Sequence, residues 1–104
     1  MIITTTENVN GKEYEIIGTV QGSTIQAKHI GKDIGAGLKQ LVGGELTGYT
    51  EMMNEARRIA TERMIADAQS KGADAVVCMR YASSSVMQNA AEVLAYGTAV
   101  RFIN

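Results

Sequence analysis

The sequence predicts a single two-layer α+β domain in which one long helix packs on a small sheet. A segment of about two dozen residues between Gly44 and Lys71 shows the 3.6-residue periodicity of a helix. Runs rich in β-branched and aromatic residues lie on both sides of it and are typical of strands. A chain of 104 residues can bury a core between two layers. We therefore interpret residues 1–104 as one domain.

The long helix is the most clearly marked element. Its apolar residues recur at spacings of three and four and share one stripe: Tyr49, Met52, Met53, Ala56, Ile59, Ala60 and Met64. Gly72 can adopt the left-handed conformation that ends a helix, and Lys71 puts a cation near the negative end of the helix dipole. Thr47 or Thr50 can cap the start. The helix is roughly 35 Å long, so it packs along a whole sheet or projects into a partner.

Two charged residues fall inside the apolar stripe of this helix. At 100° per residue, Arg63 and Asp67 share a sector with the core positions, while Ile65 lies on the polar side. Arg63 and Asp67 are four residues apart, so one interpretation pairs them with each other near the end of the sheet. The alternative is that this end of the helix, together with Ile65, contacts a neighbouring subunit, where arginine is favoured.

Four segments have strand-like sequences: residues 1–6, 13–26, 75–81 and 92–103. Asn10 and Gly11 predict a turn between the first two. The last strand alternates bulky residues with mostly small ones. The bulky face consists of Leu94, Tyr96, Thr98, Val100 and Phe102. The opposite, small face suits close packing against another layer or another subunit.

A shorter helix is predicted for residues 29–41, where apolar residues again share one stripe. Its glycines, Gly31, Gly35 and Gly37, each cost about 1 kcal/mol relative to alanine inside a helix. This helix is therefore marginal unless other parts of the protein pack against it. Residues 83–85, three consecutive serines, are predicted to form a loop.

Composition narrows the functional classes. The chain has 10 basic and 11 acidic residues, and no basic run that would bind nucleic acid or an anionic membrane by charge. We expect neither a secretion signal nor a transmembrane helix, because no apolar run has the required length. The single cysteine rules out an internal disulfide framework and fits a reducing compartment. The expected location is the cytoplasm.

Several motifs occur together in a characteristic order: TTT, IIGTVQGST, VGG, YTEMMNEARRIATERM, GADAVV and YGTAV. With them the chain resembles, over essentially its full length, the YbjQ family, which carries the label "putative heavy-metal-binding". The resemblance implies an antiparallel sheet packed on the long helix in a dodecin-like arrangement, and assembly into a ring-shaped homopentamer. It implies no established activity. A homo-oligomer also agrees with the long helix and with the exposed edges that a small sheet leaves in a monomer.

The candidate metal ligands are few. Zinc needs three or four Cys, His or carboxylate ligands. This chain has a single cysteine, Cys78, and a single histidine, His29, about fifty residues apart. A site within one subunit would need both of them together with Asp33 or Asp74. In a ring, copies of one residue can converge on the axis instead. Both residues are therefore weak candidates, and no cofactor is indicated.

Cys78 has a simpler interpretation as a structural residue. Strand alternation places it with Val76 and Arg80 on one face, and Met79 with Val77 on the other, so Cys78 and Met79 cannot easily bind one ion together. Small buried hydrophobic side chains are a common role for a free cysteine. We therefore expect Cys78 to be buried and not to bind metal.

No constellation in the sequence indicates catalysis. The Gly-Lys pairs lack the GK[ST] of a phosphate-binding loop, and the serines lack a nucleophile elbow and an orienting acid. We expect no enzyme activity. The favoured class is a non-catalytic oligomer that binds a metal ion or small ligand at subunit interfaces. The alternatives are a structural ring that binds another protein and an enzyme whose active site forms between subunits.

Overall fold

The described chain consists of one long helix and a four-stranded mixed sheet. The computed structural model describes residues 1–27, 47–88 and 90–104. Its elements are β1 (Ile2–Ile3), β2 (Tyr14–Ala27), α1 (Thr47–Ser70), β3 (Ala75–Met87) and β4 (Ala90–Phe102). The sheet order is β1-β3-β4-β2. The shorter helix predicted for residues 29–41 lies outside the described residues.

The expectation of an antiparallel sheet is correct for the three long strands and wrong for β1. The strand pairs β2–β4 and β3–β4 are antiparallel, whereas β1 is parallel to β3, with Ile2 opposite Ala75 and Ile3 opposite Val76. Parallel neighbours need a long connection. The chain between β1 and β3 supplies it, because it contains β2 and α1.

The helix ends where the sequence predicts. Gly72 has a positive φ of 76°. Its N–H donates to Gln69 O at 3.0 Å, and the N–H of Ala73 donates to Ala68 O at 3.1 Å. These two bonds form a Schellman motif, which satisfies carbonyls that have no partner within the helix.

The buried face of α1 is narrower than the predicted stripe. Its buried residues follow every fourth position: Met52, Ala56, Ala60, Met64 and Ala68. Met53 packs against this core, but Tyr49 and Ile59 are only half-buried and lie outside the core cluster. The contacts among the described residues therefore do not confirm Ile59 as a core residue. Mostly small residues contact the sheet, so the helix axis comes close to it.

The closest contact between the two layers lies at Gly22 in β2. A Cβ atom at this position would lie 2.2 Å from Met64 N and 2.5 Å from Ala60 O, both backbone atoms of α1. Only a residue without a side chain allows such an approach. Val20 and Thr24, on the same face of β2, are buried on either side of the contact.

The central strand β4 confirms the predicted alternation. Its small residues Ala95, Gly97 and Ala99 are buried on the face that packs under α1. On the opposite face, Val100 joins Ala75 and Val77 in a second, smaller cluster. The small face is thus the one that allows the helix to come close.

Arg63 and Asp67 bind the edge of the sheet instead of each other. The Nη1 of Arg63 donates to the carbonyl oxygen of Ser23 at 2.7 Å. The N–H of Gln21 donates to Asp67 Oδ2 at 3.1 Å. Both backbone groups belong to β2, an outer strand whose free edge would otherwise expose them. The predicted pair is therefore wrong, and the contact of Ile65 with a neighbouring subunit stays a prediction.

Lys71 adds a third contact with the β2 edge, one helical turn beyond Asp67. It follows the last residue of α1, and its Nζ lies 3.3 Å from Asp67 Oδ1 and 3.3 Å from the carbonyl oxygen of Thr19. Side chains four residues apart share a helix face, and backbone groups two residues apart point to the same edge of a strand. Side chains at every fourth residue of α1 and its C-terminal flank therefore meet backbone groups at every second residue of β2, and they cover the β2 edge from Thr19 to Ser23.

The strand β3 is longer than predicted. Residues 83–85 are not a loop, because they continue the ladder opposite Val93, Glu92 and Ala91 of β4. The pairing with β4 overrides the weak strand propensity of serine. Tyr81 also reaches the helix, where its hydroxyl lies 2.7 Å from Thr61 Oγ1.

Two further expectations have outcomes. The predicted turn at Asn10 and Gly11 is confirmed, with the N–H of Lys12 donating to Val9 O at 3.0 Å. In the part of the chain that the structure describes, no helix combines the length and apolar character that crossing a membrane requires.

We expect Gly22→Ala to destabilise the fold by about 3 kcal/mol or more, at the upper end of overpacking costs, because the obstructing atoms are helix backbone. Denaturant unfolding measures the change. Ser23→Ala is the matched control, because the Ser23 side chain is exposed and its removal should change stability by less than about 0.5 kcal/mol. Equal stability of Gly22→Ala and the parent would contradict this close contact.

We expect Asp67 to make the stability of the fold sensitive to acid. The Gln21 N–H, followed by the Lys71 ammonium, holds the pKa of Asp67 below its ordinary value of 3.8. The stabilisation is therefore fully present above that value and is lost as the pH falls through the lower, folded pKa. Unfolding measured at about pH 6 and about pH 3 should show a smaller acid loss for Asp67→Asn than for the parent. Identical losses would disprove the contribution.

Candidate functional site

A bulge in β3 provides the most unusual backbone geometry of the described chain. Val77 pairs with Thr98 and Arg80 with Tyr96, so Cys78 and Met79 together oppose Gly97 alone. Cys78 has a φ of 55°, a left-handed conformation that non-glycine residues rarely adopt. Such outliers often cluster at functional sites, so the bulge is a candidate functional site.

Gly97 creates the space for this bulge. A Cβ atom there would lie 2.6 Å from Val76 Cγ1 and 3.1 Å from Val77 O. A glycine opposite a bulge lets the extra residue fit without moving the central strand. The glycines within the strand-like runs were the sequence signal for bent strands, but they did not reveal which partner strand would bulge.

The bulge reverses the predicted alternation of β3. Met79 joins Val76 in the core beneath α1, whereas Cys78 packs with Ala75 and Val77 on the opposite side. The predicted grouping of Cys78 with Val76 is therefore wrong, because one inserted residue shifts the two-residue period. Cys78 is half-buried and not fully buried.

The N-terminal segment is bound along the bulge. The N–H of Cys78 donates to Thr6 O at 3.1 Å, and the N–H of Met79 donates to Thr4 O at 3.0 Å. The Nη1 of Arg80 donates to Thr5 O at 3.1 Å. The first two bonds satisfy the N–H groups that the bulge turns away from β4, and the third adds a side-chain contact to the same segment.

An open groove of about 450 Å³ lies beside this segment. It is lined by Ile2, Thr4, Thr6, Asn8, Val9 and Asn10. The hydroxyls of Thr4 and Thr6 lie 2.8 Å apart, and Thr6 Oγ1 donates to Asn8 O at 2.8 Å. None of these described lining residues carries a charged side chain. The groove can offer hydrogen bonds, but it holds neither an acid nor a base.

The structure does not gather metal ligands around Cys78. Its sulfur lies 3.9 Å from Thr6 O, a weak hydrogen bond. Asp74 Oδ2 accepts from the Phe102 N–H at 2.8 Å, so this carboxylate is used within the sheet. In residues 1–27, 47–88 and 90–104, no three His, Cys, Asp or Glu residues come together as a metal site. His29 and Asp33 lie outside those ranges, so their role stays a prediction.

Three charged side chains on the outer face of α1 form ion pairs. Arg58 contacts Glu55 through a short ion pair and Glu62 at 2.7 Å. The hydrogen bond that Arg58 donates lowers the pKa of Glu55, and the hydrogen bonds that Arg58 donates to both glutamates raise the pKa of its guanidinium. All three side chains are about half exposed or more. This matches a solvated helix face and not an acid/base pair.

Known proteins are similar to this chain over nearly its whole length. The family model YbjQ, described as "Putative heavy-metal-binding", matches residues 1–103. The chain belongs to the YbjQ family. Its relatives include UPF0145 proteins of Clostridioides difficile, 64% identical over 96% of this chain and 90% of that protein, and of Alkaliphilus metalliredigens, 60% identical over 99% and 100%.

A solved structure agrees with the fold of this YbjQ-family chain. The crystal structure of a DUF74-family protein of unknown function from Pediococcus pentosaceus superimposes with a TM-score of 0.68. The superposition covers 99% of this chain and 98% of the Pediococcus pentosaceus chain, and the two sequences are 20% identical. At that identity the match supports the fold alone. The names of these relatives specify no reaction.

The left-handed conformation of Cys78 makes a measurable prediction for this YbjQ-family chain. Cys78→Gly should be more stable than Cys78→Ala by about 1 kcal/mol, because glycine adopts a positive φ without the Cβ clash. Both variants remove the same sulfur, so the comparison isolates the backbone. Denaturant unfolding gives the difference. A Cys78→Ala variant at least as stable as Cys78→Gly would show that the bulge carries no strain.

Proposed function

We propose that this YbjQ-family chain is a non-catalytic binding protein that assembles as a homopentameric ring and holds a metal ion or small ligand where subunits meet. The isolation of Cys78 carries the proposal. Its sulfur makes a weak hydrogen bond to the carbonyl oxygen of Thr6, and no cluster of described His or carboxylate residues joins it. If the heavy-metal description applies to this chain, the described donors of one copy are too few.

A ring resolves the shortage of donors. Structural zinc sites use four protein ligands, and rotational symmetry brings several copies of one side chain around a shared axis. A site of that kind needs only one or two donors from each subunit. The proposed ring size of five is an expectation that the family resemblance implies.

The exposed part of the sheet supports self-assembly. The structure extends 57 Å along its longest axis, and residues 80–87 of β3 are all exposed. Met87 is 68% exposed and Val86 46%. Large exposed apolar side chains at the end of a strand favour contact with another protein surface.

A structural ring that binds another protein is the second candidate. One observation favours it: on the sheet face away from α1, Ile16, Ile25 and Tyr96 are 69%, 61% and 41% exposed. Aromatic and apolar side chains of this kind are enriched in protein interfaces. This function requires an assembly but no bound metal.

Native mass spectrometry of protein purified without a histidine tag tests the two candidates. We expect a homo-oligomer that retains metal after dialysis against buffer without metal, with fewer metal ions than chains, because each ion is shared between subunits. Monomer released by dilution should lose the metal. A species of 11.1 kDa at micromolar concentration would contradict the assembly.

Two further outcomes separate the roles. Cys78→Ser should keep the metal content of the parent, because the thiol packs with Ala75 and Val77 on the sheet. Loss of a stoichiometric soft metal from that variant would identify Cys78 as a ligand. An oligomer that contains neither metal nor small ligand, in the parent and in Cys78→Ser alike, would favour the protein-binding ring.

A further inference from the structure

The two outer edges of the sheet are treated differently by the fold. The β2 edge is covered by Arg63, Asp67 and Lys71 as far as Ser23. The β3 edge is covered by the N-terminal segment only as far as Met79. On the side of β3 that faces away from β4, no described strand lies beside residues 80–87, and all of these residues are exposed.

The backbone groups that face outward from β3 can be identified. Gln21 uses its N–H, and Ser23 its carbonyl, outward to α1. Because an antiparallel pair alternates bonded and non-bonded positions, their partners Tyr96 and Leu94 direct their backbone groups toward β3. The β3 residues opposite Tyr96 and Leu94 are Arg80 and Ala82, and their backbone groups therefore bond inward to β4.

The residues between those bonded positions point the other way. Tyr81, Ser83 and Ser85 direct their N–H and C=O groups away from β4, at an edge that no described backbone pairs. A row of unpaired groups of this kind is a template for another strand. By the same alternation, Ile25 and Ala27 present outward groups at the end of β2, beyond the last helix contact at Ser23.

We infer that the free edge of β3, at Tyr81, Ser83 and Ser85, forms backbone hydrogen bonds with the free end of β2, at Ile25 and Ala27, in a neighbouring copy of this chain. The inference rests on the proposed homo-oligomer and names the surface that joins its subunits. The helix contacts from Thr19 to Ser23 block the rest of β2 and so limit where the neighbouring strand can pair.

A second copy is the occupant that satisfies both edges at once. Pairing β3 with β3 across a two-fold axis would leave the end of β2 open, whereas pairing β3 with the next copy's β2 closes both edges and continues around a ring. The two segments also match in charge. Neither residues 81–87 nor residues 25–27 contain a charged residue, so no ion is left without a partner at the contact.

Hydrogen exchange of the parent protein tests the pairing directly. In the assembly, the amides of Tyr81, Ser83, Ser85 and Ile25 should exchange at least about tenfold more slowly than in monomer obtained by dilution. Native mass spectrometry of the same samples reports the assembly state. Slow exchange that persists in the monomer would overturn the inference.

The remaining exchange outcomes are also decisive. An oligomer in which the β3 amides exchange freely would overturn this pairing but leave the proposed assembly standing. Slow exchange in β3 without slow exchange at Ile25 would indicate β3–β3 pairing and overturn the inference as well. A monomer at micromolar concentration would overturn both the pairing and the proposed assembly.

A proline substitution provides the second test. Ser83→Pro removes an outward N–H without removing a bond to β4, so it should shift the protein toward monomer and keep a cooperative melting transition. Ser83→Thr retains the N–H and should assemble like the parent. Full assembly of Ser83→Pro would overturn the inference, and if that variant does not fold, the exchange of the parent decides.

Discussion

The structure depends on the direct contact between the backbone of α1 and the backbone of β2 at Gly22. Because no side chain separates them, the helix axis lies close to the sheet. The core between them consists of alanines and valines together with Met64 and Met79. The same closeness lets Arg63 and Asp67 reach the outer edge of β2. One glycine thus determines both the thickness of the core and the protection of an edge strand.

Gly97 plays a related part on the other side of the central strand. It accepts the bulge of β3, and the bulge sends Met79 into the core while Cys78 stays on the opposite face. The bulged amides bind the N-terminal segment, which therefore follows β3 instead of leaving the domain. Beyond the bulge, β3 continues as an edge that no described segment covers. The two glycines together organise the sheet, one for the helix and one for the bulge.

These features favour a binding site between copies of the chain over one within a single copy. The donors that the structure describes are engaged or isolated: Asp74 binds the Phe102 N–H, and the Cys78 sulfur has a weak contact with Thr6 O. The described lining of the groove beside the N-terminal segment offers threonine and asparagine oxygens but no charged side chain. Unpaired backbone groups and exposed apolar side chains occur together at the end of the sheet, in residues 80–87 of β3. Symmetry is the means by which such a chain can multiply a single donor.

The sequence by itself determined the elements whose signals are local: the periodicity of α1, its end at Gly72, the turn at Gly11 and the alternation of β4. Such signals depend on residues a few positions apart, and these elements are confirmed. Only the tertiary structure decided the direction of β1, the length of β3 through its serines, and the partners of Arg63 and Asp67. It also decided the face on which Cys78 lies, because a bulge of one residue reverses a period of two. Each of these depends on contacts between segments far apart in the chain, and such contacts leave no periodic trace in the sequence.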